Sequence, residues 1–304
     1  MSPMNNRLLV PRKTPGLLDL VPGAAAAYSL RNLSRSYADP VVTVRRSSDD
    51  DEAPFTASEV ADGTLAAFCG AGDGFVKQWW DQSGNGRHAV AAADANEPQI
   101  VDSGVVILEE GAPAIKFDGS DDYFTAGSSG DFDALHNNKA AIFAVMTVGL
   151  TADPDTIHVA FSTSDLNSTQ VGTVVCCDDR TGFASNAFRI FIARGVSSQP
   201  AAEVSVDETI QMQQQLLLSA LIDASNATAD DRVSAYVNSG LRLAGNTRTY
   251  TPSAASSTAS LHIGRDPFGL YDYAGYMQCA ILYQSDMSSQ RELIEGNIAW
   301  SYSQ

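Results

Sequence analysis

Residues 74–88, GFVKQWWDQSGNGRH, are the stretch from which the fold of this 304-residue chain can be read. Phe75, Lys77, Trp79 and Asp81 alternate with Val76, Gln78, Trp80 and Gln82, the period of two that sends successive side chains to opposite faces of a strand. Asn85-Gly86 follows, a dipeptide that tolerates the positive φ of a type I′ turn, and the chain then reverses into residues 87–91. The expected element is a hairpin on which Trp79 and Trp80 face opposite ways, one inward and one towards solvent or a second layer. Both rings serve packing on the plainer reading; an outward one also makes a sugar-stacking platform.

Outward from the hairpin, the same signature recurs. VVTVRR at 41–46 reads as a strand, as do AAIFAVMTVGL at 140–150, IHVAFSTS at 157–164, VGTVVCC at 171–177 and FRIFIARG at 188–195. QQLLLSALIDA at 214–224, RVSAYVNSGLRLAG at 232–245, SLHIGRD at 260–266 and YAGYMQCAILYQSD at 273–286 continue the series. β-rich runs separated by Ser, Asp, Asn and Gly turns, with no helix alternating between them, predict an all-β antiparallel sandwich. Helices are expected in three places: the alanine-rich 23–37, GTLAAFC at 63–69, and a closing helix after the capping box Ser289-x-x-Glu292. Pro3, Pro11 and Pro15 oppose a helix at the start, so the division expected is an extended N-terminal arm over 1–21 and one domain over 22–304.

Composition narrows the partners. The net charge is −17, and so acidic a surface repels phosphate backbones, which excludes nucleic acid. Residues 1–15 are the exception, carrying Arg7, Arg12 and Lys13 and no acid, a basic arm suited to an acidic neighbouring subunit. The most apolar early run, 16–30, is broken by Asp19 and Pro22, so neither a membrane span nor a secretory leader is expected. Four cysteines are too few for a disulfide scaffold and four unpaired histidines do not make a zinc site; Cys69 and Cys279 read as buried thiols. The acids at 49–52, 118–122 and 178–179 are either turn residues or oxygen ligands for calcium.

In this order, AAAYSLRNLSRSY, VVTVRRSSD, WWDQSGNGRHA, PAIKFDGSDDYF, LHIGRD and YAGYMQCAILYQSDMSSQRELIEGNI resemble the concanavalin A-like (laminin-G-like) jelly-roll superfamily. More narrowly, the chain is similar to the catalytic domain of B-type α-L-arabinofuranosidases and to related domains in tailed-bacteriophage virion proteins. The resemblance covers most of 22–302. In the arabinofuranosidases the general acid ends an Ile-Gly-Gly-Asp strand, which places Asp266 in that role, with Arg265 where the second glycine would stand. A vicinal cysteine pair lies at the family's sugar pocket, and Cys176-Cys177 falls in a comparable place. The nucleophile's Asp-Leu-Glu-Asn segment has no counterpart: the corresponding run, FRIFIARGVSS, has no acid. A retaining hydrolase needs a second carboxylate about 5–5.5 Å from the first.

The expectation is therefore a virion structural protein, in a tail fibre, a tail tip or a capsid decoration, located in the particle and binding host-surface carbohydrate. The alternative is a glycoside hydrolase of α-L-arabinofuranosidase type using Asp266. The sugar-binding set expected is Asp266, Arg265, Phe268, Tyr271, Tyr273, Cys176 and Cys177, with no catalytic pair and no metal assigned. The partners expected are other virion proteins through the arm, and a closed homo-oligomer, a trimer if the subunit is a fibre.

Overall fold

The computed structural model describes residues 15–149, 156–164, 171–180, 187–192, 202–206, 213–240, 242–244 and 251–302. The basic segment 1–14, with Arg7, Arg12 and Lys13, lies outside them.

The strands form two antiparallel layers. In the first, Val233–Val237, Gln215–Asp223, Lys139–Val148 and Ala274–Tyr283 pair in that order. The far edge of Ala274–Tyr283 is shared end to end by Ala24–Ser29 and Ile115–Asp118. The second layer runs Glu52–Phe55, Val42–Arg46, Gly74–Trp79, Ala89–Val90, Phe124–Ala126, Leu261–Ile263, Ile157–Ser162, Thr173–Asp178, Ala187–Ile192 and Ala202–Val206. Gln99–Asp102 pairs with both Gly74–Trp79 and Ile115–Asp118 and so joins the layers at one side. This is the all-β sandwich expected from the strand pattern.

The first layer is apolar on both faces because each face is covered. Along Lys139–Val148, Ala140, Ile142, Ala144 and Met146 enter the main core between the layers. Ala141, Phe143 and Val145 enter a second cluster, with Ile281 and Tyr283 from the neighbouring strand. The closing helix, Arg291–Tyr302, covers that cluster with Ile294 and Ile298, helped by Leu17 of a short helix, Leu17–Leu20. The outer face of the second layer has no helix over it among the described residues.

Two sequence expectations change. Residues 24–29, AAAAYS, form a fully buried strand rather than a helix. Ala24 and Ala27 face the helix-covered cluster while Ala26 and Tyr28 face the main core, and in a slot closed on both sides packing overrides the helix propensity of alanine. Residues 17–20, expected within the extended arm, form a short helix whose Leu17 is fully buried. The expected helix after Gly63 forms as Thr64–Cys69.

Candidate functional site

The site is built from the hairpin outward. Gly74–Trp79 pairs with Ala89–Val90, but the Asn-Gly dipeptide does not make a two-residue turn: residues 80–88 form a wide loop. A bulge explains the outcome for the tryptophans. Thr43 pairs with Gln78 and Val44 with Val76, so Lys77 is an extra residue, and the alternation shifts by one behind it. Phe75, Lys77 and Gln78 are partly exposed, Trp79 is fully buried, and Trp80 points outward again.

Asp81 and Gln82 hold this loop. The Asp81 carboxylate accepts from the backbone N–H of Ala27 (2.9 Å), Ser83 (2.9 Å) and Arg87 (3.0 Å) and from the Ser83 hydroxyl (2.8 Å). Gln82 accepts from Leu33 N–H and donates to the carbonyls of Ser29 and Arg31. Asn85 donates to the carbonyls of Ala24 and Ala25. The WDQSGNGRH motif is thus a latch that occupies polar backbone along Ala24–Ser29 and beyond, and fixes where Trp80 sits.

Outside the latch lies a row of side chains in direct cross-strand register: Thr43, Gln78, Val90, Thr125 and His262. All five are partly exposed. The row next to it, Trp79, Ala89, Ala126 and Leu261, is buried in the core, as the pleat requires. Past His262 the register continues to Ser162 and Val174, which are buried. Trp80 stands on one side of the open row, its ring 4.7 Å from that of His88 and its indole N–H donating to the Thr43 hydroxyl at 3.0 Å. Tyr123 stands on the other side, stacked on His262 at 5.9 Å and 8°. Burial holds the His262 pKa below its ordinary value, and Nδ1 lies 3.2 Å from the Ser260 carbonyl. A carbonyl only accepts, so Nδ1 carries the proton and Nε2 of the neutral ring is an acceptor.

Behind Tyr123 comes the turn that carries most of the residues expected from sequence. Arg265 lies over the Tyr123 ring at 4.9 Å and its Nε is 3.2 Å from Asp272 Oδ1. Gly269, at φ +66°, is where the Arg265 guanidinium crosses the backbone; a Cβ there would collide with it. Asp266 has no exposed surface and accepts from the N–H groups of Phe268 (3.0 Å), Leu270 (2.7 Å) and Tyr271 (2.8 Å). Its carboxylate ties the turn from a fully buried position. Phe268 and Leu270 are exposed, at 59% and 56%. Tyr273 is in the core, donating to the Thr147 carbonyl at 2.8 Å, and offers no surface to a sugar.

The cysteine pair is buried, with its side chains on opposite faces of Thr173–Asp178. Cys177 enters the main core, while Cys176 joins Ile157, Val159 and Val174 on the outer face, beside Tyr271 and Phe191. Directly across from Cys176 is Arg189, whose guanidinium pairs with Asp178. The described part of that strand, Ala187–Ile192, has no carboxylate. Glu203 registers with Phe191 one strand further out, and Asp207 and Glu208 lie outside the described residues.

Of the three acid runs, two are engaged by arginines. Asp49 and Asp51 pair with Arg46, and Asp50 with Arg45. Asp178 is bound by Arg180 and Arg189; burial pushes its pKa up, but the two guanidinium groups hold it below the ordinary value. Asp118, Asp121 and Asp122 bring carboxylate oxygens within 4.8 Å of one another, at the Tyr123 end of the site. Burial and the Asp118 charge push Asp122 up to about 7. Burial likewise raises Asp272 to about 6, against the pull of Arg265.

Sequence reasoning named the turn but missed the row. Thr43, Gln78, Val90, Thr125 and His262 come from five separate segments, and only the strand register brings them together. The outward tryptophan was the one available signal.

No protein-family model matches this chain, and no curated protein matches it. Among solved structures it resembles a GH54 α-L-arabinofuranosidase soaked with 4-nitrophenyl α-L-arabinofuranoside (TM-score 0.66, 16% identity), covering 90% of this chain and 62% of that one. An arabinofuranosidase complexed with arabinofuranosyl-α-1,2-xylobiose gives TM-score 0.63 at 16% identity and the same coverage. The chain shares their β-sandwich fold. It spans about 62% of their length.

Proposed function

We propose that this chain is a carbohydrate-binding β-sandwich whose sugar site is the open row between Trp80 and Tyr123. One observation carries the reading: an outward indole and an outward phenol flank neutral hydrogen-bonding side chains, Thr43, Gln78, Thr125 and His262, on a face with no helix over it among the described residues. Sugars present apolar ring faces and a rim of hydroxyls, and sites for them combine aromatic surface with a few fixed polar groups. The sandwich shared with arabinofuranosidases supports the reading as a fold-level analogy.

Hydrolysis at Asp266 finds no such support. Its carboxylate is buried and occupied by three backbone donors, and Arg189 stands beside Cys176. The setting we propose is a tailed-phage particle, where the domain would hold host-surface glycan as part of a fibre, tail tip or decoration. The order of the sequence motifs and the basic segment 1–15 on an acidic chain support this setting.

A glycan array on the purified protein, with bound sugars recovered and weighed for cleavage, tests the binding site. Intact glycan retained by the natural chain and lost from Trp80→Ala is the expected result; retention that survives Trp80→Ala and Tyr123→Ala removes the site, and cleaved product restores the hydrolase. Mass spectrometry of purified particles from the host strain tests the setting, and the chain's absence from them overturns it.

A further inference from the structure

We infer that the face takes a linear, uncharged glycan laid across the strands rather than a single terminal sugar; this rests on the carbohydrate reading above. Thr43, Gln78, Val90, Thr125 and His262 lie on successive neighbouring strands. Four inter-strand spacings of roughly 4.8 Å make an open floor about 19 Å long. Pro54, the next residue in register beyond Thr43, is exposed on the edge strand, so the floor runs out to the sheet edge on that side.

Trp80 and Tyr123 form aromatic walls on opposite sides of this floor. Trp80 is two residues from Gln78 along its strand, and Tyr123 is two residues from Thr125 on the other side of the row. At roughly 3.3 Å per residue the walls stand about 13 Å apart across the floor, and they are offset along it by two strands, about 10 Å. No single sugar ring reaches both. A chain that crosses the floor obliquely meets the indole with one unit and the phenol with another, while intervening units lie over Val90 and Thr125.

No floor residue is charged, since His262 is neutral. The cation nearest the Tyr123 wall, Arg265, is paired with Asp272, and Lys77 at the other end is paired with Glu52. Asp118, Asp121 and Asp122 crowd the Tyr123 end, and the whole chain carries −17. Polyanionic glycans are repelled, while neutral ones pay no such penalty.

The test is isothermal titration of the full chain with neutral cello-, xylo- and malto-oligosaccharides from monosaccharide to hexasaccharide, with oligogalacturonates as the anionic series. In at least one neutral series affinity is expected to climb at least about tenfold between the disaccharide and the longer members and then level off. Trp80→Ala and Tyr123→Ala should each weaken the hexasaccharide by about tenfold, whereas a monosaccharide should respond to one of them and not the other. Trp80→Phe, which keeps an aromatic face, should retain the length dependence and guards against a folding defect. Equal affinity from monosaccharide to hexasaccharide, or tighter binding of the galacturonates, overturns the inference and leaves carbohydrate binding standing. Absence of binding to every sugar in both this assay and the array removes the carbohydrate reading itself.

Discussion

Asp81 shows how a polar residue can be indispensable without touching a ligand. It is buried and accepts four hydrogen bonds, one of them from Ala27 on a strand that is itself buried. Removing the carboxylate strands the buried Ala27 N–H and the partly buried donors of Ser83 and Arg87, each costing about 1–3 kcal/mol where no water replaces the acceptor. Asp81→Ala is expected to lose about 3 kcal/mol or more in urea unfolding; a loss below about 1 kcal/mol would mean that the latch is not what holds the loop. Asp122 is the opposite case, a carboxyl the fold would prefer protonated. Its pKa is raised from the ordinary carboxylate value to about 7, so the folded state binds its proton more tightly than the unfolded chain does. The contribution is full below about pH 4 and is lost as pH rises through 7. Asp122→Asn keeps an acceptor for the Asp118 N–H, now 2.8 Å away, and removes the charge. Its melting temperature should exceed that of the natural chain by several degrees at pH 8 and match it near pH 4; an equal gap at both values would show that the charge is not the cause.

At the scale of the element, the strand Gly74–Trp79 separates what pattern reveals from what it conceals. That these residues form a strand, and that its two tryptophans face opposite ways, followed from a period of two. Which one faces inward did not, because the bulge at Lys77 shifts the phase and leaves no mark in the alternation itself. The consequence is a difference in energetic role between neighbours. Trp79→Ala should cost about 3–5 kcal/mol, since a fully buried indole leaves a cavity, while Trp80→Ala should cost about 1 kcal/mol and act on sugar binding instead. Equal losses in thermal unfolding would place both rings in the core. Local pattern was equally silent at 24–29, where alanine reads as helix until two facing layers are known, and at the site row, whose members meet only through register. By contrast, long runs such as Lys139–Val148 and Ala274–Tyr283 were legible because burial on both faces writes a continuous apolar signal.

Across the whole molecule, the two sheets divide stability from recognition. The first is apolar on its outer side and must be roofed, and the roof is the closing helix, where Ile294 and Ile298 are fully buried. The same helix brings Glu295, 2% exposed, to accept from the Ser219 hydroxyl at 2.7 Å and from Arg291, which in turn lies 4.0 Å from the Tyr236 ring centre. The second sheet's outer face carries the row of neutral side chains, and the main core lies between the two. If that division is real, damage to the roof should weaken folding without changing what the open face binds. Ile298→Ala removes buried methylene and methyl groups and is expected to cost about 2–4 kcal/mol, a fall of several degrees in melting temperature for a chain of this size. Below the new transition the variant should bind glycan with the affinity of the natural chain, because the row is set by pairings within the second sheet and Trp80 is held by the Asp81–Asn85 latch on the backbone of Ala24–Ser29, not by the helix. A drop in affinity at a temperature where the variant is fully folded would show instead that the helix, through the core, positions the binding face, and the two sheets would have to be treated as one mechanical unit.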